Sequence, residues 1–217
     1  MDKHSGSLAG RATDLVDRLG RVLHELQFVD GLNPAQWEAL RFLARANQYS
    51  RSPGALADFL GTTRGTVSQT LIALEKKGYV QRARSAVDRR AVRLELTPAG
   101  VAALGRDPLD AIEQAVSALD DEVGTALVRG LSRLLHDVQQ KYAIKPFGVC
   151  QDCSLLCVGA AARPTAARPT TARPAVAAKT CGFTGEALRE SDTDLLCVNY
   201  RPESALAALV KMATTED

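Results

Sequence analysis

Cysteine is missing from the first 149 residues of this 217-residue chain, and all five follow: Cys150, Cys153, Cys157, Cys181 and Cys197. Long apolar runs are missing throughout. No stretch reaches the roughly eighteen residues a membrane span needs, so no membrane association is expected. The opening MDKHSGSLAGRATDL is polar and lacks the apolar stretch of a secretory leader. The expected location is therefore cytoplasmic. Disulfides rarely persist there, so five cysteines point to metal or redox chemistry before structural bridges.

Catalytic signatures are missing as well. There is no Gly-rich phosphate loop, no Gly-x-Ser-x-Gly and no paired His-Glu metal motif. Cys150-x-x-Cys153 alone is compatible with a thiol-disulfide oxidoreductase, but that chemistry needs a βαβ setting and none surrounds it. An enzyme is not expected. His4, His24 and His136 all precede the cysteines, which argues against histidine as a metal ligand among them.

Charge is scarce in sum but not in distribution. The formal net charge is only +2. Thr62 to Thr97 holds eight basic residues (Arg64, Lys76, Lys77, Arg82, Arg84, Arg89, Arg90, Arg93) against Glu75, Asp88 and Glu95. That window carries +5, leaving −3 for the rest. A local basic patch on a near-neutral chain suggests a surface aimed at a polyanion.

Helical periodicity predicts a first helix from about Leu8 to Phe28, broken by Gly31. Asn33-Pro34 and Ser52-Pro53 each read as an N-cap followed by a first-turn proline. The helix after Asn33 turns Trp37, Leu40 and Leu43 inward; the short one after Ser52 buries Leu56, Phe59 and Leu60 and ends at Gly61. Thr63 caps the next, with Val67, Leu71 and Leu74 on its core face and Gly78 as its left-handed stop. Two short helices joined by a tight turn form a helix-turn-helix.

Two strands follow, Tyr79 to Arg84 and Ala91 to Thr97, around the polar turn SAVDRR. A basic hairpin directly after a helix-turn-helix is a wing. Thr97-Pro98 starts another helix, interrupted around Gly105 to Pro108. A long helix is expected from about Asp120 to Tyr142, its stripe formed by Val123, Leu127, Leu131, Leu134 and Val138 and widened by Leu135 and Tyr142. That apolar face exceeds what one small winged domain covers, and a second subunit is the simplest outlet. Beyond Pro146, ARPTAARPTTARPA repeats Ala-Arg-Pro and is expected to form a disordered or extended insert, about residues 158–180. A short helix is expected from Ser204 to Met212.

LNPAQWEALRFLA, LADFLGTTRGTVSQTLIALEKKGYV and DRRAVRLELTPAG resemble the MarR family of winged-helix regulators, over about Leu8 to Tyr142. The resemblance implies a homodimer built on helices from both chain ends, acting on a pseudo-palindromic DNA operator, with a repressor the expected sense. It implies that Arg90 enters the minor groove while Asp88 orients the arginines. Groove geometry points independently to Thr63, Arg64, Thr66, Ser68 and Gln69 at the start of the recognition helix. Arg64 and Gln69 are the candidates for bidentate base contacts, each worth about 1–3 kcal/mol of discrimination. Arg84, Arg89 and Arg90 lie on or beside the wing.

The core resemblance does not account for the cysteines, although a cysteine-bearing tail of the form FGVC-x-x-C…CGFTGEAL is similar to tails on some regulators of this type. Cys150-x-x-Cys153 can grip one ion as a turn, and Cys181 and Cys197 can complete a tetrahedron, with Cys157 as the spare. Gly182 and Gly185 would ease a close backbone approach to the metal. Four thiolates suit Zn2+ or an iron–sulfur cluster. A reversible Cys150–Cys153 disulfide acting as a thiol switch, and plain buried cysteines, stay open.

The expected architecture is thus mainly α: a winged helix-turn-helix with a β-hairpin wing and long dimerisation helices over residues 1–145, and a small Cys-rich C-terminal module over 146–217. The expected mechanism lets a change in metal or thiol state tilt the long helix and alter DNA affinity. The alternative is a regulator answering a small-molecule effector bound between the dimer and DNA-binding parts, with a merely structural tail.

Overall fold

The computed structural model describes residues 6–84, 92–159 and 179–202. Local capping chemistry sets most of its helices. Ser7 caps α1 (Leu8–Leu26), Asn33 caps α2 (Pro34–Arg45), Ser52 caps α3 (Pro53–Leu60) and Thr63 caps α4 (Arg64–Lys76), each side-chain oxygen accepting from the N–H three residues on. Each cap stabilises its helix by about 0.5–2 kcal/mol relative to alanine. Gly61, at φ 59°, takes the left-handed turn between α3 and α4, a conformation that costs a residue with a Cβ.

The chain then forms the wing. Strand β1 (Val80–Arg84) pairs antiparallel with β2 (Val92–Leu96), Val80 opposite Leu96 and Arg84 opposite Val92. Thr97 caps α5 (Pro98–Leu104), which is followed by α6 (Asp110–Ser117) and α7 (Asp121–Lys141).

One core lies beneath α2, α3, α4 and the wing. Trp37, Leu40, Phe42, Leu43, Leu56, Val67, Leu71, Leu74 and Leu94 are buried there. Phe59 departs from the sequence expectation. It is partly exposed, at 37 %, and packs tilted against Phe42 and edge-to-face against Phe147, with ring centroids 4.7 and 5.3 Å away. Its partner Phe147 comes from the tail, which the periodicity of a single helix cannot foresee.

The tail does not stand apart. Strand β3 (Gly148–Val149) pairs with β7 (Leu196–Cys197), and β4 (Leu156–Val158), β5 (Lys179–Cys181) and β6 (Ala187–Leu188) form a second small antiparallel sheet. Leu196 joins the winged domain's core, and Phe147, Val149 and Val198 pack against it. The Asn47 N–H donates to the Leu196 carbonyl at 2.9 Å, and the Val198 N–H to Ser50 Oγ at 2.8 Å.

The expected insert is corrected at its edges, because Val158 pairs with Lys179 and Cys157 with Thr180. Residues 160–178 and the expected helix at Ser204–Met212 lie outside the described residues.

The long helices leave their apolar faces uncovered. Leu15, Leu19 and Val22 of α1 and Leu127, Leu131, Leu134 and Val138 of α7 are exposed, as is Tyr142 after it. No residue of α7 is buried in the single chain.

Candidate DNA-binding surface and thiol cavity

Helix α4 presents two faces. Val67, Leu71 and Leu74 anchor it in the core. Thr63, Arg64, Thr66 and Gln69 are exposed on the other face and Ser68 is half-buried. Thr63 Oγ1 accepts from the Thr66 N–H at 3.1 Å and pairs with Thr66 Oγ1 at 3.0 Å, which orders the first turn. Among the described residues Arg64 makes no ion pair, so its guanidinium is available to a ligand. Arg82, by contrast, is held by Glu75 at 2.7 Å. Lys77 donates to the carbonyl of Gly31 and to Gln36 Oε1. These two basic residues are tethered in the fold, a distinction that counting charge along the sequence could not make.

Arg84 closes β1; its side chain, with Asp88, Arg89 and Arg90, lies outside what the structure describes. The two strands that flank residues 85–91, β1 and β2, follow directly after α4.

Four of the five cysteines line one cavity of about 240 Å3 at the junction of tail and winged domain: Cys150, Cys153, Cys181 and Cys197. Cys150, Cys153 and Cys197 are buried. Cys157 is set apart by strand register. Leu156 faces Cys181 across β4 and β5, whereas Cys157 faces Thr180. Side chains alternate along a strand, so Leu156 and Cys181 turn into the cavity and Cys157 turns away, its thiol 3.8 Å from the Leu155 carbonyl.

The cavity's electrostatics are those of crowded sulfur. Burial, and then the proximity of Cys181, Cys153 and Cys197, push the Cys150 thiol up to about 11. Burial also raises Cys197, against hydrogen bonds from the Asn199 backbone and the Asn47 side chain that favour its thiolate. The Arg201 N–H donates to Cys153 Sγ at 3.5 Å. Among the described residues no three His, Cys, Asp or Glu side chains are grouped so as to hold a single metal ion.

The winged domain supplies the opposite wall. Asn47, Tyr49, Arg51 and Arg93 line it. Burial and the positive charge of Arg93 both depress the Arg51 guanidinium. Arg93 Nε lies 3.5 Å from Glu95 but is buried without a hydrogen-bond partner. Tyr49 hydroxyl donates to Glu186, and burial together with that carboxylate raises the phenol. Arg51 and Arg93 were invisible as site residues from the sequence, since only the docking of the tail brings them to the cysteines.

Gly182 has a packing role of its own: a Cβ there would fall 2.8 Å from the Leu155 carbonyl. Close approach of two strands therefore accounts for this glycine.

The helix-turn-helix, its exposed recognition face and the hairpin beside it define a winged-helix DNA-binding protein. A MarR family model matches residues 30–91. A protein of Thauera aromatica, bearing the name of a transcriptional regulatory protein for the hcr operon, is 33% identical over 128 residues, covering 56% of this chain and 72% of the relative. The chain belongs to the MarR family of DNA-binding transcriptional regulators, a family of regulators and not of enzymes.

Solved structures share the fold. They include the S. aureus MepR–DNA complex, with TM-score 0.50 and 22% identity over 61% of this chain and 97% of that one. A MarR/EmrR family regulator from Acinetobacter sp. ADP1 matches with TM-score 0.50 and 23% identity over 62% and 99%.

No helix among the described residues is long and apolar enough to cross a membrane.

Proposed function

We propose that the protein is a homodimeric repressor that reads a pseudo-palindromic operator and carries a metal- or cluster-binding thiol module that sets its DNA affinity. The observation that carries the DNA reading is the exposed, capped start of α4 with Arg64 unpaired beside the wing. Arg64 and Gln69 address base edges, Thr63, Thr66 and Ser68 address phosphates or bases, and Arg84, Arg89 and Arg90 address the backbone and minor groove beside Asp88. The second subunit covers the exposed leucines of α1 and α7, and that interface sets the distance between the two recognition helices.

The metal reading rests on four thiols around one cavity, with N–H donors already directed at Cys153 and Cys197. A centre bound by four thiolates is net negative, and Arg51 and Arg93 on the facing wall offset that charge. Such a centre is zinc or an iron–sulfur cluster. Loading it deprotonates the thiols.

The module is anchored by hydrogen bonds to residues 47–50 and shares its cavity with Arg93 of β2. The route this favours from module to DNA runs through the wing base; the tilt of α7 expected from sequence is the longer one. A small-molecule effector has its own foothold in a separate hollow lined by Glu38, Arg41, Arg45, Leu60 and Leu109.

Selection from a pool of randomised duplexes, followed by sedimentation of the protein alone, tests the DNA reading. Enrichment of an inverted repeat by a dimer supports it; no enrichment, or a monomer that binds single half-sites, overturns it.

A further inference from the structure

We propose that Cys150, Cys153, Cys181 and Cys197 hold an iron–sulfur cluster, with Cys157 outside it and the wing residue Arg93 as a donor to its sulfur. The inference rests on the reading above that these thiols bind metal, and it decides between the two kinds of centre.

Spacing favours the cluster. A zinc ion bound by four thiolates at about 2.3 Å draws all four sulfurs to within about 4 Å of one another. These side chains form no such closed cage, because among the described residues no three are grouped for one ion. The same four thiols nevertheless ring a single hollow of about 240 Å3. They reach it from three elements. Cys150 lies on the short turn after β3, Cys153 ends that turn, Cys181 ends β5 and Cys197 ends β7. Backbone pairing joins β3 to β7 and β4 to β5. Four thiols around an open hollow suit a polynuclear group that fills the space between its ligands.

Chemistry adds a second argument. An iron–sulfur cluster brings inorganic sulfides, which accept hydrogen bonds, and such bonds tune its potential. Arg93 Nε is a buried donor with no hydrogen-bond partner on the wall of this cavity, and Arg51 beside it is already desolvated. A zinc tetrathiolate would offer that donor only its cysteine sulfurs, which already accept from other N–H groups. The strand register that turns Cys157 away leaves a set of four, the number that either kind of centre takes.

The test uses the full chain purified without oxygen, assayed for iron, acid-labile sulfide and zinc alongside its visible spectrum. Iron and sulfide in equal amounts, a broad visible absorbance, retention in Cys157→Ser and loss in Cys150→Ser are the expected results. Zinc without sulfide overturns the cluster and leaves the metal reading standing. Neither metal, even after incubation with ferrous iron and sulfide or with zinc, overturns both. A cluster retained in Cys150→Ser but lost in Cys157→Ser overturns the ligand assignment. Retained dimerisation of each variant shows that it has folded.

Discussion

The N–H of Leu94 donates to the carbonyl of Arg51 at 2.8 Å, so the wing strand and the wall of the thiol cavity are one hydrogen-bonded piece. Arg51 Nε in turn donates to the Ala46 carbonyl at 3.0 Å, and Ala46 bridges to Leu196 beside Cys197. A short chain of contacts, one of them made by the Arg51 side chain, therefore runs from Leu196, next to Cys197, to the wing strand β2.

If that chain carries the signal, stripping the centre changes DNA affinity by the size of ordinary site-to-site coupling, about 5- to 150-fold. Arg93→Gln removes the charge that faces the thiols while keeping β2. Its affinity is expected to vary by less than about threefold between stripped and loaded protein. Anisotropy titrations of wild type and variant, each in both states, check this; an unchanged wild-type response in Arg93→Gln removes the Arg93 side chain from the route.

Base readout and backbone attraction separate by their salt dependence. Arg64→Ala should cost about 1–3 kcal/mol on the operator and little on unrelated DNA, relaxing specificity. Arg89→Ala, which removes a contact to the phosphate backbone, should weaken every sequence alike and lower the slope of log affinity against log salt by about 1. Equal loss on operator and random DNA in Arg64→Ala would remove that arginine from base recognition.

The dimer prediction follows from exposure. Leu131 and Leu134 are 46% and 47% exposed in the single chain, so glutamate at either position costs the isolated protomer little. Across a subunit interface the same charge would be buried unpaired, which costs several kcal/mol. Leu131→Glu combined with Leu134→Glu should sediment as a folded monomer and lose most affinity for the full operator. A dimer that survives both changes places the interface elsewhere.

How far the sequence could be read depends on the range of the interaction. Asn33, Ser52, Thr63 and Thr97 were legible as caps because a cap bonds a group three residues away. The core positions of α2 and α4 were legible because helical spacing decides them. Phe59 was not, since its exposure depends on Phe147, far along the chain. The Cys150-x-x-Cys153 turn was visible in spacing. The face on which Cys157 falls was not, because the pairing of β4 with β5 decides it across the insert. Nor does the tail's small apolar content reveal how it is stabilised: through Leu196 it shares the winged domain's core.

That sharing yields the last prediction. Leu196 is 6% exposed and belongs to the same buried cluster as Trp37 and Leu40. Leu196→Ala removes buried methyl groups and leaves a cavity, costing about 2–5 kcal/mol. Because the cavity opens in the common core, the loss should fall on the whole fold, and thermal unfolding should remain one transition at a lower Tm. Deleting residues 146–217 should lower the Tm of the remaining winged domain as well, since Phe147, Val149 and Val198 leave the core together with Leu196. Two transitions in the full chain, or an unchanged Tm after deletion, would make the tail an independent unit. The cavity wall that Arg51 and Arg93 supply opposite the cysteines would then not couple the tail to the wing.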